Sequence, residues 1–158
     1  MADDDLPPGV TVELDDDSVS ATVEVAAPPA DVFDFIRRPA NHPTISGDET
    51  VKGTRVGPEV LDDGSRFGMK MKVLGLSYSI TNTVVEFQQG TKIAWCHPGK
   101  HRWRWELEAT PSGGTRLTET FDLSTAVFPP GLKLVGFPKR HRANVARSVG
   151  NVRDHFAG

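Results

Sequence analysis

The links between the strand-like runs of this chain are too short to hold a helix. Between Thr50 and Thr125 the runs TVKGTRVG, SRFGMKMKVL, LSYSITNTVVEF, TKIAWCH, HRWRWELEAT and TRLTETFDLST follow one another. Only turn chemistry divides them: DDGS (Asp62–Ser65), Gly75, QQG ending at Gly90, HPGK (His97–Lys100) and PSGG (Pro111–Gly114). A parallel pairing needs a crossover of roughly a dozen residues or more. Neighbouring runs must therefore pair antiparallel, and the middle of the chain must be a meander.

Helical patterns flank the meander. SVSATVEVA alternates Val19, Ala21, Val23 and Val25 with polar neighbours, which predicts a further strand. PPADVFDFIRR then predicts a short helix, with Pro29 at a first helical position, Asp31 and Asp34 near its start and Val32, Phe33 and Ile36 as its stripe. It should stop before Pro39. After the connector Ala126–Pro138 the period changes: Val145, Val149, Val152 and Phe156 recur at helical steps, with His141 one turn ahead. Gly150 lies inside this helix at a cost of about 1 kcal/mol relative to alanine, tolerable where something packs against its backbone. The predicted class is α+β, with a curved antiparallel sheet of six to seven strands wrapped around a long carboxy-terminal helix.

The most regular strand is HRWRWELEA (His101–Ala109): Trp103, Trp105 and Leu107 on one parity, Arg102, Arg104 and Glu106 on the other. Arginines beside tryptophans could stack single-stranded nucleic acid, but that needs both on one surface. Alternation separates them, and the net charge is −3, so no nucleic-acid partner is expected. Apolar parity predicts an inward set: Phe67, Met69, Met71 and Val73; Leu76, Tyr78, Ile80, Asn82 and Val84; Ile93, Trp95 and His97; Trp103, Trp105 and Leu107; Leu117, Glu119, Phe121 and Leu123. A one-residue slip would invert any of these strands as a block.

Composition narrows the class. A chain of 158 residues suits one domain. It holds no apolar run of about 18 residues, so no stable membrane insertion is expected. Cys96 alone allows no intrachain disulfide, and MADDDLPPG lacks the basic and apolar regions of a secretory signal; both fit a cytoplasmic protein. Residues 1–20 carry seven acids and no base, and residues 129–158 six bases and one acid. Residues 1–17 read as an acidic flexible leader and 18–158 as the domain. The leader either stays solvated or folds back on the basic helix. No nucleophile elbow, phosphate loop or zinc motif occurs, so neither cofactor nor metal is expected.

The order of elements over residues 18–157, with SATVEVAAPPADVFDFI, RPANHPTISGDETV (Arg38–Val51), VVEFQQGTKIAW and GTRLTETFDLS, resembles the START-like SRPBCC superfamily and its bacterial polyketide cyclase/dehydrase-type members. The resemblance implies a helix-grip fold with a deep cavity between sheet and long helix, and a hydrophobic small molecule as partner. It covers about 140 residues and carries no catalytic set onto this chain.

The expected ligand-binding residues are Tyr78, Asn82, Trp95, Trp103, Trp105, Phe67, Met69, Met71, Phe121 and His141. Three tryptophans on one wall favour a broad, flat, ring-containing ligand. Glu119 and His97 are the candidate catalytic pair. An inward Glu119 would have its pKa raised by burial, as acid–base work near neutrality requires, and His97 ends an apolar strand beside Pro98. Cyclase or dehydratase-like chemistry, a non-catalytic lipid or small-molecule carrier and a dimerising interaction module all stay open. The apolar connector Ala126–Pro138 reads as a lid, a dimer contact or a buried cap, so monomer and homodimer are both allowed.

Overall fold

A computed structural model gives the architecture, described over residues 5–46, 51–98, 100–126 and 141–157. The strands are β1 (Thr11–Leu14), β2 (Ser18–Val25), β3 (Val51–Val56), β4 (Arg66–Val73), β5 (Leu76–Gln88), β6 (Lys92–Cys96), β7 (Arg102–Ala109) and β8 (Thr115–Asp122). The helices are α1 (Pro29–Ile36), α2 (His42–Ile45) and α3 (Arg142–Phe156), with a 3-10 turn at Pro39–Asn41 before α2. All eight strands form one sheet in the order β1-β2-β8-β7-β6-β5-β4-β3, and every pairing is antiparallel. The meander from β3 to β8 is the consequence of those short links, and β2 closes it against β8.

The sheet has one strand more than expected. Thr11–Leu14, inside the segment read as leader, pairs antiparallel with Val19–Thr22. Its acids did not prevent this, because Glu13 lies on an exposed edge where a charged side chain stays in water. Just upstream, a side-chain carbon at Gly150 would lie 3.3 Å from Pro7 Cβ, and the Arg153 guanidinium donates to the Pro8 carbonyl. Pro7 and Pro8 thus pack against the last helix, and Pro7 is the close neighbour that explains a glycine within it.

α3 lies across β2 and β8 and buries Val145, Ala146, Ser148, Val149, Gly150 and Val152. α1 begins with Pro29 at its first turn and buries Val32, Phe33, Phe35 and Ile36. Arg37 at its end donates from Nε and Nη2 to the Leu61 carbonyl at 3.0 and 2.9 Å and pairs with Asp62. This ties the helix to the approach to β4.

Parity held along most strands. Val19, Ala21, Val23 and Val25 are buried on β2, and Leu117, Glu119 and Phe121 on β8. β5 is the exception. Val84 pairs with Trp95 but Glu86 pairs with Ala94, so Val85 is bulged out of register. The bulge sends Glu86 to the outer face and turns Phe87 inward, where its ring meets Phe33 at 5.8 Å.

Candidate functional site

Register arranges the inner face in layers. Trp105 lies between Ile93 and Glu119, and Glu119 pairs onward with Ala21. One step towards the rim, Trp103 lies between Trp95 and Phe121. Extending the same register sets Asn82 opposite His97, His97 opposite His101 and His101 opposite Leu123. Cross-strand neighbours of this kind touch directly. A floor in which Ile93, Trp105 and Ala21 accompany Glu119 thus rises through a ring layer to a rim of one amide and two imidazoles.

The rings make two clusters. Towards β4, the His42 ring stacks on Trp95 with centroids 4.8 Å apart and planes at 22°, and Phe67 meets both rings edge-on. Towards α3, Trp103 and Phe121 have centroids 4.5 Å apart. His141, capping α3, lies 4.4 Å from Phe121 and 5.1 Å from Trp103. His101 packs on Phe121 at 5.3 Å and on His97 at 4.7 Å.

Polar chemistry is sparse and buried. Glu119 is 4% exposed, set among Trp105, Ala21, Leu117 and Phe121. The indole nitrogens of Trp103 and Trp105 and the Asn82 side-chain oxygen are buried with no hydrogen-bond partner among the described residues. Burial, with the nearby charges of His101 and His141, pushes His97 down to about 3, and burial also lowers His101. His42 Nε2 donates to the Ile36 carbonyl at 2.9 Å, yet burial still holds this imidazole at about 4. At neutral pH these imidazoles are uncharged. Neutral rings suit an apolar site, but a group near 3 is poorly matched to exchanging protons at pH 7.

Most of the expected ligand-binding residues do meet on one face: Phe67, Met69, Met71, Asn82, Trp95, Trp103, Trp105, Phe121 and His141, with Glu119 and His97 among them. Tyr78 is the outlier. It shares the parity but is 46% exposed, because β5 runs on past the end of β6 and carries it into a projecting hairpin. His42 was not foreseen. Its signal was NHP, an asparagine and a proline framing a helix start, which brings the ring down on Trp95. The connector Ala126–Pro138, read as lid, dimer contact or cap, lies outside the described residues from Val127 onward.

The arginines of the alternating strand occupy the outer face. Arg102 and Arg104 both donate to Glu86, at 2.7 and 2.8 Å, and Arg104 also reaches Asp122 at 3.1 Å. These contacts, with the Arg104 hydrogen bond foremost, pull Glu86 down to about 2. Beside them a polar groove of about 720 Å³ is lined by Asp15, Asp16, Asp17 and Asp122. It has none of the ring chemistry, so the inner face is the better candidate site. Among the described residues, no group of three or more His, Cys, Asp or Glu is placed to hold a metal ion, and no helix is long and apolar enough to cross a membrane.

Comparison with known proteins agrees with this layout. Residues 16–157 match the family model described as polyketide cyclase / dehydrase and lipid transport. The uncharacterized protein Rv0088 of Mycobacterium tuberculosis is 40% identical over 143 residues, 88% of this chain and 64% of that protein. The chain thus spans just under two thirds of that relative. A crystal structure from Nitrosomonas europaea superposes with a TM-score of 0.68 at 18% identity, covering 88% of this chain and 93% of that one. One from Rhodobacter sphaeroides gives 0.69 at 12% identity, covering 94% and 97%. The structural likenesses show a shared helix-grip fold, and the match across nearly the whole domain makes this chain a member of the polyketide cyclase / dehydrase and lipid transport family of the SRPBCC superfamily.

Proposed function

We propose that the inner face between β4–β8 and α3 binds a flat, mostly apolar, ring-containing small molecule that carries at least one hydrogen-bonding oxygen. The observation that carries this reading is the set of polar atoms on that face that have no hydrogen-bond partner among the described residues: the indole N–H groups of Trp103 and Trp105 and the Asn82 oxygen. Buried polar groups are almost always satisfied, and leaving one unmade costs about 1–3 kcal/mol. Two donors and one acceptor among aromatic walls complement a ring bearing a carbonyl and a hydroxyl.

Proton transfer beside that carbonyl would fall to Glu119, in the same layer as Trp105. His97 would orient a ligand rather than move its proton. Carrier and enzyme differ in one respect: Glu119→Gln spares binding in both but abolishes turnover only in an enzyme.

Titration with hydroxynaphthoic acid and with a hydroxylated anthraquinone, followed by ligand fluorescence, tests the binding step. Trp105→Phe and Asn82→Leu should each weaken binding roughly three- to tenfold, the worth of one hydrogen bond. Unaltered affinity in both variants, or no binding by the wild type, would refute the reading.

A further inference from the structure

The β4–β5 hairpin has a tip that the fold does not need. β3 pairs with β4 no further than Met71, and β6 pairs with β5 only from Thr83 onward. Among the described residues, Lys72–Ser77 is therefore a bare two-stranded ribbon. Its turn is Leu74-Gly75, with φ of 50° and 80°, a geometry that favours Asn-Gly. A leucine held left-handed is an outlier whose explanation is to be sought in function. Leu74 is also 96% exposed and Leu76 73% exposed, with Tyr78 behind them.

Charge singles out the same element. From Arg66 to Thr83 the chain carries Arg66, Lys70 and Lys72 and no acid, in a protein of net charge −3. Lys70 and Lys72 are exposed and have no carboxylate within ion-pair distance among the described residues. They flank the tip on the face opposite Met69 and Met71, since side chains alternate along β4.

We propose that this hairpin docks the protein on an anionic lipid bilayer: Leu74 and Leu76 enter the acyl boundary, Tyr78 sits at headgroup depth, and Lys70 and Lys72 meet the lipid charge. Leucines at a tip, an aromatic one step back and lysines on the flank match the depth profile of a bilayer interface. The reading is independent of what the inner face binds.

Co-sedimentation of the full chain with vesicles of phosphatidylcholine and phosphatidylglycerol, against phosphatidylcholine alone, tests it. The expected result is binding to the anionic vesicles. Leu74→Asn should weaken it at least tenfold while leaving the melting temperature unchanged or higher, because asparagine suits the turn. Lys70→Glu with Lys72→Glu should remove the preference for anionic lipid, each lysine being worth about fivefold. No sedimentation with anionic vesicles, or equal sedimentation of Leu74→Asn, would overturn the proposal. So would a dimer that Leu74→Asn disperses in the absence of vesicle binding, since the tip would then serve a second copy of the chain.

Discussion

Lowering the pH from 7.5 to 5.0 should cost this fold several kcal/mol through its buried imidazoles. His42, 7% exposed, is held at about 4 by burial despite its bond to the Ile36 carbonyl. Its ordinary value is 6.5. Below 6.5 the unfolded chain takes up a proton that the folded one refuses, so stability is complete above 6.5 and drains as the pH falls towards 4. Each pH unit in that window is worth about 1.4 kcal/mol, which makes His42 responsible for about 2 kcal/mol at pH 5.0. His97, held at about 3, adds up to about as much, less what solvent screens at the half-buried rim. Glu86 acts in a different window. Its value is lowered from 4.5 to about 2, so its contribution is intact above 4.5 and lost only as the pH falls through that lower range. The assay is urea unfolding at pH 7.5 and 5.0 of the wild type and of His42→Gln, which keeps an N–H donor but cannot charge. The variant should be weaker at pH 7.5, having lost the stack on Trp95, and should lose about 2 kcal/mol less than the wild type on acidification. Equal stability of the wild type at the two pH values would refute the reasoning.

Two further substitutions probe the packing. Gly150→Ala would ordinarily gain about 1 kcal/mol in a helix; here the new carbon meets Pro7 at 3.3 Å, so thermal unfolding should show no gain, and the gain should return in a Pro7→Gly background. Glu86→Ala takes the carboxylate from Arg102 and leaves Arg104 with Asp122 alone, and should cost about 1–2 kcal/mol by chemical denaturation, between the values for surface and buried pairs; it should also flatten the acid limb between pH 4.5 and 2, where Glu86 titrates.

The meander and the inner face were legible in the sequence because period-2 alternation and short links leave few arrangements. HRWRWELEA set its tryptophans inward and its arginines outward, and the structure did the same. Legibility failed where local pattern and tertiary pairing diverge. Counting parity through VVEF would send Glu86 inward, but the bulge at Val85 reverses it. β1 was hidden by its acids, since an edge strand needs only one buried side. Tyr78 had the right parity and the wrong position, because parity says nothing about where a neighbouring strand ends. The stack of His42 on Trp95 joins residues 53 positions apart, beyond the reach of any local signal.

The central claim is that the ring-lined inner face is a binding site. Native mass spectrometry of the freshly purified protein, followed by solvent extraction of whatever accompanies it, tests this most directly. The account predicts a stoichiometric small-molecule adduct that extracts as a ring-bearing compound and is lost from the double variant Trp105→Phe with Asn82→Leu. An adduct retained in full by that variant would contradict the account, as would a bare mass that persists after incubation with hydroxynaphthoic acid and the hydroxylated anthraquinone.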